Sequence, residues 1–312
     1  MQEKNETEPS RRHVLECMIW AGTGVLWTVS GGIPKSLGLL GEADAAQAQS
    51  AFTFLQISDS HIGFNKAANP HALDTLKEAI GKIEALPAKP ALMIHTGDIT
   101  HLSRADQFDD AAQIIGGTGL DVHYVPGEHD LVDEGNGKAY LDRYGKGTKG
   151  AGWYAFDQNG VHFIALVNVV NLKAGGLGNL GAEQLAWLAD DLRDKPASTP
   201  IVVFAHIPLW TVYADWGWGT DDGAEVLKLL RRFGSVTVLN GHIHQIIQKI
   251  EGNMTFHTAR STAFPQPVPG TAPAPGPMTV PADRLPHMLG LTRVDVSIGS
   301  KPLAITDTTL AD

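Results

Sequence analysis

The residues of this sequence that could carry out chemistry are carboxylates and histidines grouped in five short clusters. In chain order they are Asp59-Ser60-His61, Gly97-Asp98, Gly127-Glu128-His129-Asp130, His206 and Gly241-His242-Ile243-His244. Together the clusters offer carboxylate oxygens and imidazole nitrogens without sulfur, a mixture that suits Mn, Fe, Zn or Co. One such cluster among 13 histidines would mean little, since a buried histidine more often forms hydrogen bonds than binds a metal. All five in one chain predict a metal centre.

Each cluster follows a segment that is predicted to be a buried β-strand. Short apolar runs bounded by turn residues predict strands at residues 52–57, 91–95, 122–125, 161–167, 201–205 and 236–239. In an open α/β sheet, ligands bind at the carboxyl ends of the strands. Two residues separated by one position on an extended backbone point the same way. Asp59 and His61 are therefore expected to share a ligand, as are His242 and His244.

Helical segments lie between several of the strands, so the order of elements is α/β. Apolar residues at helical spacing predict helices at residues 70–86, 105–115, 182–193 and 221–233. Ser103 and Asp106 are expected to form a capping pair for the second helix.

The rest of the chain has a more antiparallel character. Asn159-Gly160 and Gly252-Asn253 predict two hairpins, which join residues 154–156 to the strand from 161 and residues 246–250 to 254–257. Proline-rich residues 264–286 predict an extended surface loop, because proline disfavours both helices and central strands. Strand patterns return at residues 290–298 and 303–306.

Composition and charge exclude several classes of partner and of binding site. The chain has 312 residues, of which 43% are hydrophobic and 19% charged, with 34 Gly and 18 Pro, so one domain with many loops is expected over residues 49–312. The net charge of −10 argues against a nucleic-acid partner or an anionic membrane surface, since both need clustered basic residues. Cys17 is the only cysteine and precedes this domain, so neither a disulfide nor a thiolate site is expected in it.

Residues 1–48 have the layout of a bacterial signal peptide. Arg11 and Arg12 precede a mildly apolar stretch at residues 18–30, which resembles a twin-arginine signal, and Ala46-Gln47-Ala48 supplies a cleavage site. Glu16 departs from that pattern and also excludes a lipoprotein signal at Cys17. The alternatives are an ordinary secretory leader and an uncleaved anchor, although the apolar run is shorter than the ~20 residues of a membrane span. We expect a periplasmic or secreted protein that uses the twin-arginine export machinery and has no stable membrane anchor.

The ordered motifs DxH, GD, GxHD, H and GHxH, spread over residues 52–260, resemble the signature of the calcineurin-like metallophosphoesterase superfamily. The spacing looks most like that of bacterial phosphodiesterases acting on cyclic nucleotides or glycerophosphodiesters. This resemblance implies two packed mixed β-sheets flanked by helices, with the metals at one edge. It also implies hydrolysis of phosphate esters at a dinuclear centre, with a metal-bound hydroxide as nucleophile.

Carried over to this sequence, the resemblance implies a ligand set for each metal ion. Asp59, His61 and His244 would hold the first metal, His206 and His242 the second, and Asp98 would bridge them. The family has asparagine where this chain has Glu128. Glutamate either ligates the second metal or swings out and leaves that site weak, and we favour ligation because an unpaired carboxylate beside two cations would be hard to keep idle.

The same resemblance suggests roles beside the metals. His129 would contact the phosphoryl or leaving-group oxygen, and Asp130 would orient His129, the alternative being a loop carboxylate that caps backbone amides. Aromatic residues that follow His206 either form a substrate wall or pack loops, and they are Trp210, Tyr213, Trp216 and Trp218. Basic residues that could reach a phosphate oxygen, or else belong to the surface, are His101, Arg104 and Arg260.

The sequence thus predicts a phosphodiesterase or phosphomonoesterase that acts on small organophosphates outside the cytoplasm. A protein phosphatase or nuclease on the same centre is an alternative, although the acidic balance disfavours nucleic acid. A degenerate member that binds metal without turnover is another, suggested only by Glu128.

Overall fold

A computed structural model describes residues 25–30, 33–38, 50–297 and 303–312, and the chain divides into two compact units, residues 1–49 and 50–312. In the first unit, strands β1 (Val25–Ser30) and β2 (Ile33–Gly38) pair antiparallel. Arg11, Arg12 and the Ala46-Gln47-Ala48 cleavage site lie outside the described residues. The signal peptide therefore stays a prediction.

The second unit alternates strands and helices through its first two thirds. Its elements are β3 (Ser50–Ile57), α1 (Ala72–Glu84), β4 (Leu92–His95), α2 (Ala105–Gly116), β5 (Val122–Tyr124), α3 (Lys138–Tyr144), β6 (Tyr154–Gln158), β7 (Val161–Ala165), α4 (Ala182–Leu192), β8 (Ile201–Ala205), α5 (Gly223–Leu230), β9 (Val236–Asn240), β10 (Gln248–Glu251), β11 (Met254–Thr258), α6 (Leu285–Met288), β12 (Gly290–Ser297) and β13 (Ala304–Thr309). Short 3-10 helices lie in its loops, at Glu128–Leu131, Ala174–Gly176 and Ala214–Trp216.

The strands of the second unit form two mixed sheets. The five-stranded sheet has the order β13-β12-β3-β4-β5, in which β3, β4 and β5 are parallel. The six-stranded sheet has the order β10-β11-β9-β8-β7-β6, with a parallel centre and an antiparallel hairpin at each edge. The predicted hairpins supply those two edges, and residues 290–297 and 304–309 extend the first sheet.

Apolar side chains from both sheets pack together between them. Phe54 of β3 meets Phe163 of β7 edge to face, with ring centroids 5.2 Å apart, within a buried cluster drawn from both sheets. Helices α1 and α2 cover the outer face of the first sheet, and α4 and α5 cover that of the second. Every residue of β7, β8 and β9 is buried, which explains why these strands are mostly apolar rather than strictly alternating. The predicted two-sheet arrangement flanked by helices is confirmed.

Two local predictions need correction, and one helix was not predicted. Ser103 and Asp106 do not cap α2: Ser103 Oγ donates to the carbonyl of His129, and Asp106 pairs with Arg104 on the surface. Helix α3 was not predicted, because it spans only seven residues. The proline-rich segment is free of helix and strand from residue 264 to 284, as predicted, but Phe264 and Pro265 at its start are buried.

Among the described residues, no helix is both long enough and apolar enough to cross a membrane.

Candidate metal centre

The carboxyl ends of the parallel strands bring all seven predicted ligands together. Asp59 and His61 follow β3, Asp98 follows β4, Glu128 follows β5, His206 follows β8, and His242 and His244 follow β9. Within each of three overlapping groups, the ligand atoms lie within 4.8 Å of one another: Asp59/His61/His244, Asp59/Asp98/His206 and Glu128/His206/His242. The structure therefore places the sequence-predicted ligands in one cluster.

The backbone that presents these ligands is strained. Five of the seven ligands have a positive φ, namely Asp59 (52°), His61 (40°), Asp98 (51°), His242 (71°) and His244 (53°). Non-glycine residues adopt this left-handed region at a cost, and such residues concentrate at functional sites. The strain indicates that ligand direction, rather than backbone stability, governs these turns.

Two glycines allow the ligand loops to approach each other closely. A Cβ atom on Gly127 would lie 2.1 Å from Asp98 Oδ1, and one on Gly241 would lie 2.0 Å from Ser58 Oγ and 2.6 Å from Asp59 Oδ2. Any side chain at either position would push a ligand carboxylate away.

In the first group, the Nε2 atoms of His61 and His244 lie close to each other and to the carboxylate of Asp59. His61 Nε2 lies 3.3 Å from His244 Nε2, which in turn lies 3.3 Å from Asp59 Oδ1. His244 Nδ1–H donates to the carbonyl of Phe264 at 2.6 Å, so its Nε2 lone pair faces the cluster. Burial raises the pKa of Asp59, but His244, His206 and Ser58 outweigh burial and lower that pKa to about 2. Asp59 is thus held as a carboxylate.

Asp98 joins the first group to the second. Its Oδ1 accepts a hydrogen bond from the backbone amide of His129 at 2.9 Å. Its Oδ2 lies 3.4 Å from His61 Nε2 and 3.5 Å from His206 Nε2. One oxygen is therefore fixed by the backbone while the other stands between the two groups.

The second group surrounds Glu128. Glu128 Oε2 lies 3.0 Å from His206 Nε2, and Oε1 lies 3.0 Å from His242 Nδ1. His206 Nδ1–H donates to the carbonyl of Thr96 at 2.7 Å, so in the neutral ring Nε2 carries a lone pair. That lone pair would face Glu128 Oε2. Both atoms are buried, and neither has a hydrogen-bond partner within the part of the chain that the structure describes. A proton on His206 Nε2, or a metal ion between the two atoms, would remove the repulsion between them.

The pKa values of His206 and Glu128 also favour a positive charge at this position. Burial lowers the pKa of His206, but Asp98 and Glu128 outweigh it and raise that pKa well above its ordinary range. Burial raises the pKa of Glu128, but His242 and His206 outweigh it and hold that pKa well below its ordinary range. A cation at His206 Nε2 is stabilised by this field, and the oxygen and nitrogen donors fit a transition metal ion.

Comparison with known proteins decides the family. Residues 52–246 match the sequence profile of the family described as Calcineurin-like phosphoesterase. The chain belongs to this family. As a calcineurin-like phosphoesterase it is a hydrolase, which confirms the predicted enzyme class.

Similar proteins agree with this membership. The chain is 28% identical over 210 residues to a probable cyclic nucleotide phosphodiesterase of Synechococcus sp. (strain WH7803), a match that covers 61% of this chain and 74% of that protein. It is 25% identical over 198 residues to a glycerophosphodiester phosphodiesterase of Enterobacter lignolyticus (strain SCF1), covering 61% and 69%. A dimetal phosphatase structure from Danio rerio matches with a TM-score of 0.60 at 15% identity, covering 84% of this chain and 97% of that one. The last likeness supports the two-sheet fold.

Beside the ligands of this phosphoesterase lie two stacked histidines. The rings of His101 and His129 are nearly parallel, with centroids 4.7 Å apart, and His129 Nδ1–H donates to the carbonyl of His101 at 2.9 Å. A ring nitrogen of His129 lies within 4.8 Å of carboxylate oxygens of Asp98 and Glu128. Both histidines are partly exposed, so they lie on the open side of the cluster.

The prediction that Asp130 orients the ring of His129 is wrong. The Asp130 carboxylate accepts hydrogen bonds from the amides of Ile99, Thr100 and Gly127 at 2.8–3.0 Å and from the Thr100 hydroxyl at 2.9 Å. These bonds tie the loop of Asp98 to that of Glu128. The alternative, a loop carboxylate that caps backbone amides, is the arrangement in the structure.

Two basic candidates do not reach the cluster. Arg104 is exposed and makes a bidentate pair with Asp106 at 2.9 and 3.1 Å. Arg260 donates to the carbonyl of Met288 at 3.4 Å, on the side of α6. Neither side chain contacts a predicted ligand in the structure, so the suggestion that they bind phosphate loses its support.

The aromatic residues after His206 mostly pack the protein. Trp218 is fully buried and Trp216 is 9% exposed, and both pack with Ile243, which lies between the two ligand histidines of its loop. Tyr213 meets Trp216 edge to face at 5.3 Å, and Trp210 packs on Phe256 at 4.9 Å. For these four residues the structure favours the alternative of loop packing, and Trp216 and Trp218 support the ligand loop from behind.

Sequence reasoning missed residues that hold the ligands. The ring of Phe264 packs on His61 and on His244, with centroids 4.7 Å from each. Ser58 Oγ donates to Asp59 Oδ2 at 2.5 Å and accepts from Thr96 Oγ1 at 2.7 Å. Nothing in the sequence indicated that Phe264 packs here, because Phe264 lies in a segment predicted to cover the surface. Ser58 and Thr96 could have been found, because their hydroxyls directly precede the DxH and GD motifs.

Proposed function

We propose that this phosphoesterase hydrolyses small organic phosphodiesters or phosphomonoesters at a dinuclear metal centre. The observation that carries the proposal is the position of Asp98 Oδ2, which stands between His61 Nε2 and His206 Nε2 at 3.4 and 3.5 Å. Asp59, His61 and His244 would hold one ion, and Glu128, His206 and His242 the other. Asp98 would serve both ions.

The donors restrict the kind of ion. They comprise carboxylate oxygens and imidazole nitrogens, which suit Fe, Mn, Zn or Co. Glu128 brings the number of carboxylates to three, with Asp59 and Asp98, and this extra negative charge favours a harder or higher-valent ion. When bound, such a pair of ions would supply an acidified attacking water and positive charge for the phosphoryl oxygens.

The two stacked histidines are suited to binding the phosphoryl group. Because His129 uses Nδ1–H on the carbonyl of His101, its Nε2 remains for the substrate. If His61 ligates through Nε2, its Nδ1–H donates to His101 Nδ1, 3.4 Å away, which leaves His101 with a proton on Nε2. We therefore assign both rings to phosphoryl or leaving-group oxygens. His129 would donate a proton from Nε2 in its imidazolium form, since burial lowers the pKa of His129 but Asp98 and Glu128 outweigh burial and raise that pKa above its ordinary value.

The names of similar proteins and the net charge support this substrate class. The two bacterial relatives are named as phosphodiesterases of a cyclic nucleotide and of a glycerophosphodiester, both small phosphodiesters. The net charge of −10 makes a polyanionic nucleic acid an unfavourable substrate. A small phosphodiester that is neutralised locally by metal ions fits both observations.

Metal content and hydrolysis test the proposal directly. The purified protein is expected to contain about two transition-metal ions per chain, to hydrolyse bis-aryl and mono-aryl phosphates, and to lose activity to a chelator. Metal analysis by mass spectrometry and release of the aryl alcohol are the measurements. One ion or none would contradict the dinuclear centre, and two ions without hydrolysis would identify a degenerate member.

We also propose that the enzyme acts in the periplasm or outside the cell after export in folded form. The support is the leader, in which Arg11 and Arg12 precede a weakly apolar stretch. Replacing both residues by lysine should stop periplasmic accumulation in a bacterial host, measured by fractionation and immunoblotting. Arg104→Lys, on the exposed surface, is the matched control. Unchanged accumulation of the double variant would indicate the ordinary secretory route.

A further inference from the structure

The start of the proline-rich segment is bonded to the loop that carries His242 and His244. The carbonyl of Phe264 accepts from His244 Nδ1–H at 2.6 Å. The carbonyls of Gln266 and Pro267 accept from the Gln245 side-chain amide at 3.1 and 2.6 Å. Three carbonyls within four residues thus receive donors from two consecutive residues of the ligand loop.

The side chain of Gln266 bonds in the opposite direction, from the proline-rich segment to the ligand loop. Gln266 Nε2 donates to the backbone carbonyl of His242 at 2.8 Å, and Gln266 Oε1 accepts from the amide of Gly276 at 3.2 Å. The amide of Met278 donates to the carbonyl of Pro265 at 2.8 Å, which closes the segment on itself. Gln266 therefore links the far part of the segment to the peptide of a ligand.

The ligand loop needs such support because of its backbone. His242 and His244 have φ values of 71° and 53°, and residues with side chains hold this region only where the surroundings enforce it. Within the loop, Ile243 donates only to the nearby carbonyl of Gly241. Gln266 holds the peptide carbonyl of His242 on one side of Ile243, and the carbonyl of Phe264 holds the imidazole ring of His244 on the other.

We propose that residues 264–278 form a clasp that positions the ligand loop, and that Gln266 is its positioning residue for the second metal site. The proposal rests on the proposed function in one respect, which is that His242 belongs to the second metal ion and His244 to the first. Gln266 acts through the His242 peptide, so its loss should affect the second site selectively. The carbonyl of Phe264, which fixes the tautomer of His244, remains in every Gln266 variant.

Three variants separate the contact from general loop damage. Gln266→Ala removes both bonds of the side chain. Gln266→Glu keeps an acceptor for Gly276 but cannot donate to the carbonyl of His242 when ionised. Gln113→Ala, at an exposed position of α2, is the matched control.

The first measurement is Co²⁺ titration of metal-stripped full-length protein, followed by visible absorption. Both Gln266 variants should bind the ion of the first site as the wild type does. Their affinity for the second ion should fall on the order of 10-fold, which is the typical cost of disturbing a partner of a metal ligand. Wild-type affinity for both ions in either variant would overturn the proposal, as would an equal loss at both sites.

The second measurement does not depend on the number of ions. Amide hydrogen exchange at residues 242–245 of the metal-stripped protein should be faster in both Gln266 variants than in Gln113→Ala, while strands β8 and β9 stay as protected as in the wild type. Unchanged exchange in the loop would contradict the clasp. If the wild type binds fewer than two ions, the dinuclear function fails while this measurement still decides whether the clasp exists.

Discussion

Replacing Asp98 by asparagine is expected to abolish hydrolysis while the fold persists. The amide of His129 donates to Asp98 Oδ1, so in Asp98→Asn the side-chain oxygen should stay at this position. Its NH2 group would then point between His61 Nε2 and His206 Nε2, where Asp98 Oδ2 lies at 3.4 and 3.5 Å. An amide nitrogen has no lone pair to offer a metal. The shape is therefore kept while the oxygen that is proposed to bridge the two ions is lost.

The expected loss exceeds that of a supporting residue. Disturbing the partners of metal ligands already costs ~10–100-fold in affinity or activity, so removal of a ligand shared by two ions should cost more than 100-fold. Asp98→Ala should behave likewise. The measurements are kcat/KM on a bis-aryl phosphate, metal content, and Tm as a check of folding. Asp142→Ala, which removes an exposed partner of Lys138, controls for loss of a surface carboxylate, and activity of Asp98→Asn within a few-fold of wild type would refute the bridging role.

Glu128 variants are expected to diverge from one another. Both oxygens of Glu128 face ligand nitrogens at 3.0 Å, Oε2 toward His206 and Oε1 toward His242. Glu128→Ala removes both, so affinity for the second ion should fall on the order of 10-fold or more. Glu128→Gln keeps one side-chain oxygen, as the asparagine of related proteins would, and should retain two ions.

The pH profile distinguishes the charge of Glu128 from its shape. Glu128→Gln removes one negative charge from the centre, so the remaining positive charge acidifies the attacking water more strongly. A lower pKa of that water moves the acid limb of the kcat/KM profile to lower pH. Glu134→Gln, at an exposed position in the following loop, should leave the profile unchanged. If Glu128→Gln and Glu128→Ala both show wild-type metal affinity and pH dependence, Glu128 lies outside the coordination sphere.

The strands and the candidate ligands could be predicted from the sequence because both depend on short-range patterns. Buried parallel strands are apolar along most of their length, and polar clusters follow where those runs stop, as at Ala205 and His206. Parallel strands place their carboxyl ends at one edge of each sheet. Packing of the two sheets brings those edges together, so residues 183 positions apart such as His61 and His244 become neighbours. Amino-acid type and spacing identified the candidates, whereas the family resemblance implied that they meet across two packed sheets.

The partners of polar groups could not be predicted, because a hydrogen bond is decided by atoms from distant parts of the chain. Asp130 adjoins His129, yet its carboxylate turns to amides of the Ile99–Thr100 loop about 30 positions away. The tautomer of His206 depends on the carbonyl of Thr96, 110 positions earlier. Proximity in sequence therefore suggested the wrong partner for Asp130 and said nothing of the ring of His206.

Burial of residues in irregular segments could not be predicted either. The aromatic residues of positions 210–218 have the composition of a substrate wall, but Trp218 is fully buried behind Ile243. The proline content of residues 264–286 indicated correctly that no sheet or helix forms at its start, yet Phe264 stacks on His61 and Gln266 bonds to the carbonyl of His242. The sequence alone determined which residues are chemically able to hold metal and which strands present them. Only the tertiary structure decided which loops lie behind that centre, because irregular segments have no periodicity that relates their residues to a buried face.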